Sequence, residues 1–367
     1  MEFETTKDVL KNPITFAEKA TGKNSTLPVL SSIILTTKKQ SLTIQATNLD
    51  IGVEFTIPVK VIKEGSIAVP GVLLSSVIGN IQTSKKITCS TKQGIFNIIT
   101  NGDTITLNTT PQEDFPMIPV VQEGDMFTTQ SKKFISGLKS VVYAASLSDI
   151  KPEFSGVYVY PQQQNLVFVA TDTYRLAEKK IPEKSASSFP GIIIPHKNIT
   201  EILRIFEGVD DDIAVVSNKN QISFSTETIH ISSRAINTPF PNYQEIFPKT
   251  YTTEATILKQ DLIDILKITN NFSDKSGRVT FTINPKIKQC FIAAQNQTTG
   301  EQVSTVDAVL SGEDASHDYN YRYILECLQY VPHDSIICKV SSDGKLVITG
   351  LGDPSFTYLV APLMKQG

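Results

Sequence analysis

Ile67-Ala68-Val69-Pro70-Gly71-Val72-Leu73-Leu74-Ser75-Ser76-Val77-Ile78-Gly79-Asn80-Ile81 is the stretch that decides the fold. A short β-branched run ends at a proline. Beyond it Leu74, Val77, Ile78 and Ile81 take the i, i+3, i+4, i+7 spacing of an amphipathic helix. The same order returns 125 residues on, as Ile192-Ile193-Ile194-Pro195 followed by Ile199, Ile202, Leu203 and Phe206. A third stripe, Ile324, Cys327, Leu328 and Val331, follows at the same offset. Eleven of the twelve stripe positions are ordinary apolar residues, and Cys327 is small enough to serve as core. Three copies of one domain are therefore predicted.

Working outward, Phe115-Pro116-Met117-Ile118-Pro119 is echoed by Phe240-Pro241-Asn242-Tyr243, again 125 residues apart. Helical stretches near Lys7, Lys132 and Lys259 open the copies, with stripes Val9/Leu10, Phe134/Ile135/Leu138 and Leu262/Ile263/Leu266. Strand segments Leu42–Thr47 and Leu166–Thr171 parallel each other at an offset of 124, and short period-2 runs such as Ile95 to Leu107 read as antiparallel strands. The fold class is α+β, each domain carrying two helices packed on antiparallel sheets of roughly eight strands. Breaks in the apolar pattern near Val121–Asp125 and Pro248–Thr252 divide the chain into domains 1–122, 123–250 and 251–367.

Composition narrows the function. The 367 residues are 40% hydrophobic, and 34 Lys+Arg against 37 Asp+Glu give a net charge of −3. Nucleic acid held by bulk charge would need a basic chain, so any such contact must be local. Cys89, Cys290, Cys327 and Cys338 are scattered without a C-x-x-C pair, as suits a reducing compartment. With no signal-peptide pattern and no apolar run long enough to span a bilayer, the chain reads as soluble and cytoplasmic. There is no nucleophile elbow and no phosphate-binding glycine loop. His196, His230, His317 and His333 are isolated. Asp172 with Arg175 is the nearest thing to an active pair. No catalysis, metal or cofactor is expected.

Four segments then carry a family resemblance: Thr26-Leu27-Pro28-Val29-Leu30, Ala170-Thr171-Asp172-Thr173-Tyr174-Arg175-Leu176-Ala177, Phe240-Pro241-Asn242-Tyr243 and Tyr358-Leu359-Val360-Ala361-Pro362-Leu363. In this order, on a threefold repeat, they resemble the β subunit of the bacterial replicative polymerase, DNA polymerase III, the sliding clamp. The resemblance covers essentially the whole chain. It implies the DNA clamp fold, with two chains joined head to tail into a ring of six domains, helices inside and sheets outside. The ring encircles duplex DNA and confers processivity on the polymerase. By position the joint should use Ile105 and Leu107 on one side and Ile268 and Phe272 on the other. The same four also read as plain core.

The resemblance also assigns DNA contacts to the helices and their ends: Lys7, Lys11, Lys19, Lys23, Asn24, Lys132, Lys133, Lys139, Lys197, Arg204, Lys259, Lys267 and Arg322. The acidic residues on these stretches are Asp8, Glu18, Glu201, Asp261, Asp264 and Glu326, so the local charge is opposite in sign to that of the whole chain. Lysine on phosphate gives sequence-independent attraction, whereas bidentate arginine on bases would impose preferred sites. Read without the resemblance, these are solvated helix faces. Asn24 stands where relatives often have arginine.

A peptide groove between domains 2 and 3 is implied as well, receiving motifs rich in Gln, Leu and Phe from polymerases, the clamp loader and repair proteins. Its lining carries over to Phe154, Thr171, Thr173, Tyr174, Arg175, Leu176, Pro241, Ile246, Leu359, Val360, Ala361, Pro362, Leu363 and Met364. Arg175 and backbone groups are expected to orient the peptide. Thr173-Tyr174 stands where relatives often have Gly-His, and Ala361 where methionine is common. Ordinary strand and tail packing is the bland account of these residues. A peptide-binding scaffold that never encircles DNA is the rival function.

Overall fold

The computed structural model describes residues 1–22, 27–82, 86–119, 121, 124–187 and 189–364. Six helices lie among them: α1 Lys7–Lys19, α2 Gly71–Asn80, α3 Ser131–Val141, α4 His196–Phe206, α5 Lys259–Thr269 and α6 Tyr321–Leu328. Each predicted stripe is the packed face of its helix. Leu74, Ile78 and Ile81, then Ile199, Ile202 and Phe206, then Ile324, Cys327, Leu328 and Val331 are all buried. Val77 and Leu203 are half-buried.

The repeat extends to how each copy closes. The first residue of its first helix donates to a carbonyl just beyond its second. Lys7 Nζ bonds the Ile81 carbonyl, Ser131 Oγ that of Val209 at 2.6 Å, and Lys259 Nζ that of Val331 at 2.8 Å. Carbonyls at a helix C-terminus lack intrahelical partners, and a lysine there also meets the negative end of the helix dipole.

The chain packs as two units, Met1–Ile135 with Ser188–Asn237 and Ser136–Ser187 with Thr238–Gly367. In the first, strands Lys60–Lys63, Glu2–Thr6, Lys86–Lys92, Ile95–Ile99 and Thr104–Asn108 form one sheet in that order. A second sheet runs Asp125–Gln130, Asp212–Ser217, Gln221–Ser225, Ile229–Arg234, Ile51–Pro58, Ser41–Thr47, Ser32–Lys38, Gly65–Pro70. In the other unit, strands Gly156–Gln162, Asn165–Thr171, Arg175–Pro182, Asp353–Val360, Leu346–Gly350, Ser335–Val340, Thr253–Leu258 and Ala308–Gly312 hydrogen-bond in sequence. Beside them, Gly300–Thr305, Gln289–Asn296, Arg278–Asn284 and Ala315–Asn320 form a smaller sheet. Within these sheets the strands pair antiparallel, as Glu2 with Ser90, Ile51 with Ser233, Arg175 with Val360 and Thr280 with Ala293.

Sheets thus run on across the sequence joints. Ile51 pairs with Ser233 in the first unit and Arg175 with Val360 in the second. Packing therefore yields two units from three sequence copies.

The apolar run Leu166–Ala170 departs from period 2 because both faces of its strand are covered. Val167 and Val169 pack with Leu176, Tyr243, Val347 and Leu359. Phe168, on the other face, lies against Gly137 of α3 so closely that no Cβ would fit there.

Candidate functional site

The second unit brings the predicted groove residues together around one turn. Thr171 Oγ1 donates to the Arg175 carbonyl at 2.6 Å and accepts from Thr173 N at 3.1 Å. Asp172 Oδ1 accepts from Tyr174 N and Arg175 N, both at 3.0 Å. The turn forces Thr173 to φ +79°, the left-handed region that disfavours a β-branched residue. A glycine would be at ease there, so the Thr173 departure noted in the sequence falls on the strained position.

Three chain segments surround the turn. The C-terminal strand pairs Leu359 with Leu176, and the tail beyond it is tied down at each step. Ala361 N donates to the Tyr174 carbonyl at 2.8 Å, Leu363 N to that of Asp318 at 2.7 Å, and Arg278 to that of Met364 at 3.1 Å. Phe240 lies 6.5 Å from Phe154, ring to ring, and stacks on Tyr158 at 4.9 Å, which sets the place of Pro241. Tyr243 goes underneath, its hydroxyl donating to Glu178 at 2.5 Å and joined to the Tyr160 hydroxyl at 2.7 Å. Burial and the adjacent Glu178 carboxylate push the Tyr243 pKa far up, so the hydroxyl stays a donor.

Thr171, Leu176, Leu359 and Val360 are buried and make the floor and backing of the site. Since Leu359 packs in the Tyr243 cluster, period-2 alternation turns Val360 to the opposite face. Thr173, Pro241, Tyr174, Ile246 and Met364 are exposed, and Phe154, Ala361, Pro362 and Leu363 half-buried. The result is an apolar surface beside a rigid backbone turn, suited to aliphatic and aromatic anchors.

Arg175 is held by contacts within the chain. Its side chain is only 10% exposed, and Nε donates to Asp172 at 2.9 Å. One terminal nitrogen bonds Glu326 of α6 and the other the Tyr143 carbonyl at 2.6 Å. The Tyr323 ring lies 4.3 Å from the guanidinium carbon. Burial opposes the charge, yet Tyr358, Glu326 and Asp172 outweigh it and raise the pKa. A guanidinium so engaged is a strut that holds the turn against α6. Tyr143 and Tyr323 were absent from the sequence reading, and Glu326 was counted only as a helix acid. Nothing local marks a partner 151 positions away.

The DNA polymerase III beta subunit N-terminal domain matches residues 1–119, its central domain 128–242 and its C-terminal domain 244–364. The chain belongs to the DNA polymerase III beta subunit family. A beta sliding clamp of Staphylococcus epidermidis is 24% identical over 376 residues, covering 99% of each chain. The solved DNA polymerase III beta subunit of Thermotoga maritima superposes with a TM-score of 0.93 at 23% identity, covering 100% of both chains. A Pseudomonas aeruginosa sliding clamp solved bound to griselimycin gives 0.94 at 21% identity, again over 100% of both.

The other residues that the family resemblance singled out are placed as follows. Lys7 and Lys259 close their copies, as above. Lys132 pairs with Asp210 at 2.5 Å, Lys19 with Glu18 at 2.9 Å and Lys267 with Asp264 at 3.7 Å. Arg204 pairs with Glu201, and Arg322 lies 5.6 Å from the Tyr321 ring. Lys11, Lys133 and Lys197 are exposed and Lys139 half-buried. Lys23 and Asn24 lie outside the described residues. Leu107 is buried within its own unit, Ile105 and Phe272 are half-buried, and Ile268 is 50% exposed. Strand Thr104–Asn108, which carries Ile105 and Leu107, is the outermost of its sheet. Asp172 and Arg175, the nearest approach to an active pair, are bonded to each other. No group of three or more His, Cys, Asp or Glu suited to a metal occurs among the described residues.

Proposed function

We propose that this chain is a non-catalytic DNA sliding clamp that confers processivity on the replicative polymerase. The observation that carries the reading is the match of all three beta-subunit domains, in order, along nearly the whole chain. In this reading the domains are 1–122, 123–250 and 251–367. Two copies join head to tail. A heterologous joint repeated twice closes into a ring, as cyclic symmetry requires. The open edge at Thr104–Asn108 and the exposed Ile268 supply an unpaired backbone and an apolar contact for that joint.

Lysines dominate the basic set on the helices, and phosphate contact by lysine lets a ring slide without preferred stops. Lys11, Lys133 and Lys197 are exposed on the helices, while the amines of Lys7 and Lys259 serve helix carbonyls. The groove beside Thr171–Arg175 takes short apolar motifs from the polymerase, the clamp loader and repair proteins, which compete for it in the cytoplasm. Its specificity comes from the apolar surface and backbone of the turn, with Arg175 acting through the turn's shape.

Light scattering across a dilution series tests the ring. The expected mass is about twice the 40.4 kDa of one chain. Ile105→Asp should shift the population to monomer. A monomer at every concentration would remove the ring and leave the scaffold reading in its place.

A further inference from the structure

The turn that builds the groove occurs twice. In the first unit, Thr47 Oγ1 donates to the Ile51 carbonyl at 2.8 Å and accepts from Leu49 N at 3.1 Å. Asn48 Oδ1 accepts from Asp50 N and Ile51 N, both at 2.9 Å. Leu49 sits at φ +77°, beside the +79° of Thr173. Arg234 N donates to the Asp50 carbonyl at 2.8 Å, as Ala361 N does to that of Tyr174. Ile118 presses on Gly52 as Tyr243 packs on Leu176.

A cavity of about 190 Å³ opens at this second turn, bounded by Leu49, Asp50, Pro116, Met117, Ser232 and Arg234 among others. Those positions correspond to Thr173, Tyr174, Pro241, Asn242, Leu359 and Ala361, several of them groove residues. A neighbouring cavity of about 340 Å³ shares Pro116 and Met117 with it. Leu49 is 45% exposed and Met117 92%, an open apolar lip on a rigid turn. The chemistry differs from that of the C-terminal groove in that an exposed Arg234–Asp50 ion pair stands at the mouth. Arg234 meets Asp50 only at 3.7 Å, longer than a hydrogen bond, and both side chains are about two-thirds exposed.

We infer that this first-unit cavity is a second peptide-docking site. It takes a short linear segment of another protein in which an apolar side chain is flanked by a carboxylate. The apolar group fills the cavity between Leu49 and Met117. The carboxylate takes the forked donors of Arg234, which its loose contact with Asp50 leaves available. The class of ligand is borrowed from the groove reading, while the site itself rests on the duplicated turn.

The full chain carries a reporter at each site, Met117 here and Met364 at the C-terminal groove. With [13C]methyl-methionine protein, acetylated and amidated Leu-Glu-Leu-Phe is titrated while both methyl resonances are followed. Met364→Leu and Met117→Leu provide the assignments. Both signals are expected to shift and saturate. Arg234→Ala should weaken the Met117 response about ten-fold, as befits one charge-assisted hydrogen-bonded pair, and leave Met364 unaltered. Replacing the peptide's glutamate by glutamine should do the same. Leu49→Asp, whose new side chain tolerates the left-handed backbone, should abolish the Met117 response. A shift at Met364 alone overturns this inference and leaves the groove reading standing. A Met117 shift indifferent to both variants overturns it as well. Silence at both methionines refutes the two sites together.

Discussion

Replacing Arg175 by alanine removes the strut between the Thr171–Arg175 turn and α6. Three bonds go: to Asp172, to Glu326 and to the Tyr143 carbonyl. The contact with the Tyr323 ring goes with them. Asp172, 15% exposed, keeps a charge that has lost its partner. Breaking a buried pair in this way costs about 3–5 kcal/mol. Glu326 is 46% exposed and water replaces much of its interaction, so the lower end, about 3 kcal/mol, applies. Urea unfolding followed by tyrosine fluorescence measures the loss. Arg175→Met keeps the stem and separates packing from charge. A double-mutant cycle with Glu326→Gln should return a coupling near 1 kcal/mol, the range for a part-exposed pair. Peptide affinity at the groove should fall along with stability. If Arg175→Ala left stability within about 0.5 kcal/mol, the value for an ordinary surface change, the strut would be refuted. Arg175 would then return to the role of direct peptide contact.

Other outcomes follow from the same geometry. Thr173→Gly relieves a left-handed backbone worth about 1–2 kcal/mol and gives back about 0.4–1 kcal/mol in unfolded-state freedom. Calorimetry should therefore show a melting temperature about 2 °C higher; a fall would mean the threonine side chain holds the turn. Burial lowers the pKa of His230 below 6.5, against opposing pulls from Glu54 and the Pro119 backbone. The unfolded chain then binds this proton more readily, so stability is full above pH 6.5 and falls as the pH drops below it. His230→Gln should flatten that fall in denaturant titrations, and an unchanged slope would assign it to other groups. Burial pushes the Cys89 and Cys290 thiols up to about 12, and Cys327 and Cys338 are wholly buried. Ellman's reagent should find no reactive thiol in the native protein at neutral pH and four after unfolding.

The repeat was legible because it rests on periodicity. A helix stripe needs only apolar side chains at fixed spacing, and Leu74, Ile199 and Ile324 kept theirs at the 125-residue step. The helices expected to begin near Lys7, Lys132 and Lys259 start at Lys7, Ser131 and Lys259. Two kinds of feature were hidden. One was pairing between distant segments: nothing in the string joins Arg175 to Glu326, or Ile51 to Ser233, so two packed units lay behind three copies. The other was the use made of a charge. Lys7 and Lys259 looked like any lysine on a helix face, and only the Ile81 and Val331 carbonyls reveal their work. The duplicated turn could have been found. Thr47-Asn48-Leu49-Asp50 and Thr171-Asp172-Thr173-Tyr174 share a threonine followed by Asx, a pattern that predicts an Asx-type turn.

Encirclement is the central claim, and topology tests it most directly. The labelled protein is assembled on nicked circular plasmid with a clamp loader and ATP, separated by gel filtration at raised salt, and treated with an enzyme that cuts the plasmid once. A ring held by linkage alone should stay with the circle and run off after the cut. Retention that salt abolishes, or that linearisation leaves unchanged, would mean the chain binds DNA by ordinary contact and does not enclose it.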